Sequence, residues 1–372
     1  MRIAFIDVTA TVSFGGIQTA VWRLTETLAA MGHEVHVFGG EGELRPFTPH
    51  PDIHIHTFPF KPREQVLDLG SRYRRIVERR SMAKHAKAKL AEIAPDWAIL
   101  TKPFDFFWPG LMPAGSKTRF AFMSGGTDFF AGDRRLSKRI EAWVACSHFN
   151  AWQIRAHYKH QPKVMYNGVD VDHFSPQSDA AATRAALGFS AQATVFAFAG
   201  RLVGWKGMGV AIRALADPKL ADRDVHLLLI GDGEQRPELE ALSQRLGLEK
   251  RVHFHGKVPH NQLPTLYSAI DAGVFPSIGD EAFGITIAEA MSCAKPVIGT
   301  YIGGIPEVIG NEGTCGELVA VDDSQALAGA MRRLADDAEL RQRMGQAARH
   351  RIVENYSWRM AAERMLDALD HA

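Results

Sequence analysis

Short apolar runs alternate with longer stretches whose apolar residues recur at helical spacing, through both halves of the chain, and this restricts it to one broad class of fold. In the first half "RIAFIDV" reads as a strand, "IQTAVWRLTETLAAMG" as a helix stopping at Gly32, and "HEVHVFGG" as strand again. Further strand runs stand at "DIHIHTF", "DWAILT", "TRFAFMS", "AWVACS" and "KVMYNG". A second series starts near Thr194: "TVFAFAGRL" strand, "GMGVAIRALA" helix, "DVHLLLIGDG" strand, "RPELEALSQRLG" helix, then "VHFHGKV", "AGVFPS", a helix after Glu281 and "KPVIGT". Such alternation builds parallel sheets covered by helices on both faces. The 372 residues suit two domains of this kind. They are predicted at 1–175 and 176–355, joined through "NGVDVDHFSPQSDAAATRAALG", with an amphipathic helix in 356–372 returning to the first. Two doubly wound, Rossmann-like domains facing each other would leave a ligand cleft at the carboxyl ends of their strands.

Several function classes drop out on composition. No run of about 18 apolar residues is present, so no membrane-spanning helix is expected. The start reads as a buried strand and a polar loop rather than a signal peptide. Cys146, Cys293 and Cys315 form no C-x-x-C, which fits a reduced cytoplasmic setting and neither a disulfide framework nor a zinc site. Residues 1–175 hold 23 Lys and Arg against 17 Asp and Glu, and the remainder 20 against 25. The basic first half suits an anionic partner, though a solvated surface would produce the same imbalance. No nucleic-acid partner is expected.

Two stretches carry chemistry. In "GDEAFGITIAEAM", Glu281 and Glu289 flank an apolar run holding Gly284. A helix starting near Phe283 would leave the amides of Phe283, Gly284 and Ile285 without intrahelical partners, at the positive end of its dipole. That end suits an anion, and the carboxylates suit neutral hydroxyls; the plain alternative is a helix with an acidic first turn. In "AGRLVGWKGMG" a strand releases Arg201, and Lys206 follows. Two cations among glycines suit a pyrophosphate, and the plain alternative is a surface turn with a solvated Lys206. Neither G-x-x-x-x-G-K-[ST] nor G-x-G-x-x-G occurs here, which disfavours a P-loop and a nicotinamide or flavin cofactor.

The order and spacing of these stretches resemble the retaining glycosyltransferases of family 4, which have the GT-B fold. The resemblance runs over nearly the whole chain: Gly15 and Gly16 in "SFGGIQTAVWRL", "NGVD", G-R-L-x-x-x-K-G from Gly200 to Gly207, and "GDG" with Asp232. It continues through "FHGKVPHNQLPTLYSAIDAGVFPS", the E-x7-E pair Glu281 and Glu289, and "GGIPEVI". It implies that Arg201 and Lys206 neutralise a donor diphosphate, that Glu281 faces the sugar, and that Phe283, Gly284 and Ile285 receive sugar and phosphate oxygens through their backbone. Glu289 would accept from the ribose, and Lys257 and Val258 would lie at the nucleobase. Gly200 and Asp232 would complete the donor site, with Gly16 letting the donor phosphate and acceptor approach the first domain's loop.

The implied reaction transfers a sugar from a nucleotide-diphosphate sugar, uridine or guanosine, to a glycan or glycolipid acceptor with retention. The leaving diphosphate takes the acceptor's proton, and no metal or cofactor takes part. Cell-surface polysaccharide or glycolipid synthesis would be the setting. One departure concerns "FMSGGTDFF", where Ser124 stands at the place of a histidine found in many relatives; Ser124 and Asp128 are candidates for sugar or acceptor contacts, or form an ordinary turn. His148 reads as a helix-start residue, and Asp170 in "DVD" as a turn cap rather than a metal ligand. His253 and His255 are a conceivable ligand pair lacking a third member. The basic helical pattern Glu64–Ile93, with Val66, Leu69, Tyr73, Ile76, Ala83 and Leu90 as its apolar stripe and Arg72, Arg74, Arg75, Arg79, Arg80, Lys84, Lys87 and Lys89 around it, is a candidate for contact with an anionic membrane at the cytoplasmic face, or else a core helix with a solvated basic side. Two other readings remain: a sugar-nucleotide epimerase of the same fold, and a non-catalytic nucleotide-sugar-binding subunit.

Overall fold

The computed structural model describes residues 1–13, 15–45, 48–126, 129 and 131–372. The chain forms two compact units, Met1–Gly168 with Trp358–Ala372, and Val169–Ser357. Its two crossings thus fall at Gly168–Val169, inside "NGVD", and just ahead of the last helix.

Unit 1 is built on a seven-stranded sheet of β1 (Arg2–Ile6), β2 (Glu34–Gly40), β3 (Ile53–Phe58), β4 (Trp97–Leu100), β5 (Arg119–Ser124), β6 (Ala142–Ala145) and β7 (Lys163–Val164). The order is β3-β2-β1-β4-β5-β6-β7, and every neighbouring pair is parallel. Parallel strands covered on both sides need apolar residues on both faces, and β1 supplies them. Ile3 and Phe5 pack with the helix Gly16–Ala30 and the terminal helix Trp358–Asp370, while Ala4 and Ile6 pack with the helix Ser71–Ile93. The run "KVMYNG" pairs only over Lys163–Val164, because Tyr166 turns into the left-handed region at φ 57° and ends the ladder.

The basic segment differs from its sequence reading. Residues Arg63–Gln65 form a single 3-10 turn, and Gly70 at φ 99° breaks the chain before the helix begins at Ser71. Of the expected stripe, Val66, Ala83 and Leu90 are buried and Ile76 is half-buried, but Leu69 and Tyr73 are exposed. Arg79 moves the other way, from the expected basic surface into the interior, with only 4% of its side chain accessible. Its Nη2 lies 3.3 Å from Asp7 Oδ1 and its Nη1 is paired with Asp105 Oδ2. Asp7 also accepts from Thr9 N at 3.0 Å and Thr9 Oγ1 at 2.8 Å. Burial pushes Asp105 up to about 7 against the pull of Arg79. At Asp7, Arg79 and the Thr9 hydrogen bonds outweigh burial and hold the carboxyl below its usual range.

Unit 2 repeats the plan with β8 (Thr194–Ala199), β9 (Val225–Ile230), β10 (Val252–Gly256), β11 (Ala272–Phe275), β12 (Val297–Thr300) and β13 (Gly316–Val319). The order is β10-β9-β8-β11-β12-β13, again wholly parallel. Strand order reverses beside β8, where chains leaving β8 and β11 part to opposite directions and leave a crevice at their carboxyl ends.

Both sheets carry the same histidine device near one edge. On β2, His36 Nε2 lies 3.1 Å from Glu34 Oε1 and its Nδ1 3.0 Å from His56 Nε2 on β3. On β9, His226 Nε2 lies 2.8 Å from Asp224 Oδ1 and its Nδ1 3.0 Å from His253 Nε2 on β10. His253 therefore belongs to a packing pair, edge-on to Phe189 with ring centroids 4.8 Å apart.

Candidate functional site

The residues singled out in the second half leave the carboxyl ends of four neighbouring strands, β10, β9, β8 and β11. After β8, Arg201 is exposed and its side chain has no partner among the described residues. The chain then makes the 3-10 turn Gly204–Lys206. Gly207, at φ 72°, lets that turn meet the loop after β11, since a Cβ here would stand 1.9 Å from Pro276 O. The contact is sealed by the amides of Ile278 and Gly279, which donate to Trp205 O at 2.8 and 3.1 Å. The glycine of the K-G pair thus serves the approach of two backbone segments.

Lys206 is not a solvated surface lysine. Its Nζ pairs with Glu281 Oε2, both side chains are only 16% exposed, and the ammonium lies 4.3 Å from the centroid of the Trp205 ring. Glu281 is fixed by its main chain: Gly304 N donates to Glu281 O at 2.7 Å. At Gly303, φ 60°, a Cβ would lie 2.1 Å from the same oxygen. The "GGIPEVI" turn therefore sets where the first acid stands.

The helix after Glu281 runs Ile285–Ser292, with Gly284 as its N-cap at φ 95°, so it starts two residues beyond the expected Phe283. The delay has a steric cause. Phe283 is buried against Tyr356, with ring centroids 5.7 Å apart, and the chain needs a left-handed residue to enter the helix from there. The amides of Ile285 and Thr286 have no acceptor among the described residues. Glu289 lies one turn past Ile285. It is buried, its Oε1 lies 2.7 Å from His260 Nε2, and its Oε2 has no hydrogen-bond partner among the described residues.

His260 opens the 3-10 turn that follows β10, the loop that also carries exposed Lys257 and half-buried Val258. It had no signal in the sequence, because 29 positions separate it from Glu289. Asp232, after β9, ties two loops: its O accepts from Leu202 N at 3.0 Å and its Oδ1 from Gly233 N at 2.8 Å. Gly200 follows β8 directly, and Gly200 N donates to Ile230 O at 2.9 Å.

The remaining candidates belong to unit 1. Gly15, in extended backbone at φ 176°, caps the helix Gly16–Ala30 without a side chain, and Gly16 is its exposed first residue. Ser124 ends β5, is buried, and its Oγ donates to Gly126 O at 3.2 Å. The same oxygen accepts from Asn150 Nδ2 at 3.0 Å, so Ser124 is engaged inside its own turn. Asp128 lies outside the described residues. His148 is the first residue of the helix His148–Tyr158, and Asp170 Oδ1 accepts from His173 N at 3.1 Å as a turn cap does.

The family described as Glycosyl transferases group 1 matches residues 179–351, and Glycosyltransferase Family 4 matches residues 14–173. A D-inositol 3-phosphate glycosyltransferase of Corynebacterium kroppenstedtii is 36% identical over 228 residues, 58% of this chain and 50% of that one. The protein of the same description from Streptomyces bingchenggensis is 30% identical over 253 residues, 65% of this chain and 55% of that one. The chain thus spans about half the length of these relatives. Among solved structures, sucrose-phosphate synthase from Thermosynechococcus elongatus superposes with a TM-score of 0.85 at 23% identity, covering 100% of this chain and 98% of that one. Anabaena HepE in complex with UDP and glucose gives 0.80 at 22% identity, covering 100% of both. At such identities the likeness is one of fold.

Proposed function

This chain belongs to glycosyltransferase family 4, with the GT-B fold, and from that premise we propose that it is a retaining glycosyltransferase using a nucleotide-diphosphate sugar. The observation that carries the reading is the placing of Lys206, Trp205 and Glu281 together at the switch point between β8 and β11, with Arg201 following β8 and unpaired among the described residues. Arg201 and Lys206 hold the diphosphate and stabilise the charge that develops as the bond from its oxygen to the anomeric carbon breaks. The unpartnered amides of Ile285 and Thr286 receive anionic oxygens at the helix N-terminus. Glu289, clamped by His260 and keeping one oxygen unsatisfied among the described residues, accepts from a ribose hydroxyl.

The acceptor hydroxyl attacks on the face the diphosphate leaves, and a phosphate oxygen takes its proton. The protein's share is positioning and charge, without a metal ion. The acceptor is a glycan or glycolipid. The names of the matched relatives favour inositol phosphate as the second reading.

In an assay of uridine and guanosine sugar nucleotides against both acceptor classes, Lys206→Ala and Arg201→Ala each lower turnover roughly a hundredfold or more. Turnover in the unaltered protein survives EDTA. Near-normal rates in either variant reject the assignment. No helix among the described residues is long and apolar enough to cross a membrane. A peripheral contact is proposed instead through Leu67, Leu69 and Tyr73, which are 72%, 64% and 43% exposed at the entry to the basic helix.

A further inference from the structure

Lys206 is engaged by its own chain. Its ammonium is held between the Glu281 carboxylate and the Trp205 ring. Neither partner can drift away by its main chain. The Lys206 turn is fastened to residues 276–279, and the Glu281 carbonyl is gripped by the Gly304 amide. Only rotation of the two side chains can free the cation. Arg201, by contrast, is exposed and unpaired among the described residues.

We propose that Glu281 acts as a charge gate on the diphosphate site, neutralising Lys206 at rest and disfavouring the bare nucleoside diphosphate relative to its sugar conjugate. The inference rests on the donor site proposed above. A diphosphate that binds must take Lys206 from Glu281, leaving an uncompensated carboxylate beside the terminal phosphate. With the intact donor that carboxylate meets sugar hydroxyls and accepts hydrogen bonds from them. After transfer, once the proton taken from the acceptor has passed from the phosphate to solvent, the product's terminal phosphate carries an extra negative charge and no sugar, so it faces the carboxylate directly and is repelled. Arg201 captures the incoming anion while Lys206 is still paired. Glu281 is thereby a specificity-determining group that drives product departure as well as a sugar contact.

The test measures binding of uridine diphosphate and guanosine diphosphate by titration calorimetry to the full chain. Glu281→Gln keeps the shape of the side chain and removes its charge. It binds the preferred nucleoside diphosphate about tenfold or more tightly than the unaltered protein, and product inhibition of turnover strengthens by the same factor. In the Lys206→Ala background the same change gives no gain, since the cation that Glu281 blocks is gone. Glu281→Ala, with folding checked by circular dichroism, provides a second variant showing the same direction. Unchanged or weaker nucleoside diphosphate binding in both variants overturns the gate while leaving the donor site standing. An unaltered protein that binds neither nucleoside diphosphate nor any sugar conjugate overturns both.

Discussion

Replacing Arg79 by Met tests the buried charge network of unit 1. The guanidinium lies against Asp7 and is paired with Asp105, and all three side chains are almost wholly inaccessible. Met keeps much of the apolar stem, so the loss is chiefly one of charge. Asp7 Oδ2 already has no hydrogen-bond partner among the described residues, and the variant leaves a second carboxyl without its partner. Breaking a buried pair from one side costs about 3–5 kcal/mol. For a unit of this size each kcal/mol moves the midpoint by about 2–4 °C, so the unit 1 transition falls by about 6–20 °C.

The sign of the pH dependence follows from Asp105, whose carboxyl is raised from 3.8 to about 7 in the folded chain. Between those values the folded state holds a proton that the unfolded state has released, so stability falls as pH rises and levels off above about 7. Without Arg79 the folded carboxyl rises further, and the variant goes on losing stability where the unaltered protein has levelled. Calorimetric melts at pH 6 and pH 8.5 therefore show a gap that widens at the higher pH. A drop below about 3 °C, or a gap that stays constant, refutes the account.

The histidine pairs give an acid-side prediction. Burial lowers His36, His253 and most of all His56, which reaches about 4. Their stabilising contribution is complete above the unfolded value of 6.5 and is lost as pH falls toward about 4, worth about 1–2 kcal/mol for half-buried His56 after solvent screening. His56→Gln and His253→Gln variants melt with a flatter pH profile between 7 and 4.5, and profiles parallel to the unaltered protein's contradict this. For the membrane contact, sedimentation with anionic vesicles at low salt is abolished by the double change Leu67→Glu, Leu69→Glu. If that variant still sediments, the docking segment is elsewhere.

The alternation of strand and helix was legible because apolar residues on both faces of a buried strand leave a continuous run, as in β1, β8 and β9. β13 carried no such mark: "GELV" is a four-residue edge strand whose middle two residues are only half-buried. The motif residues were visible by type and order, but their partners were not. His260 meets Glu289, and Gly304 meets Glu281, through tertiary packing that no local period encodes. Arg79 was misread for the reverse reason. Helical spacing placed it among cations, and only the distant Asp7 and Asp105 make its burial tolerable. Position 283 shows how a single buried ring overrides a plausible helix start.

The main chain at 281 is clasped by neighbouring peptide groups, and the substituent it bears takes no part in that clasp. A library confined to this codon would vary what the proposed donor site offers a sugar, on an unaltered frame. On the proposed reading, sugar preference can change at this position without the architecture being rebuilt.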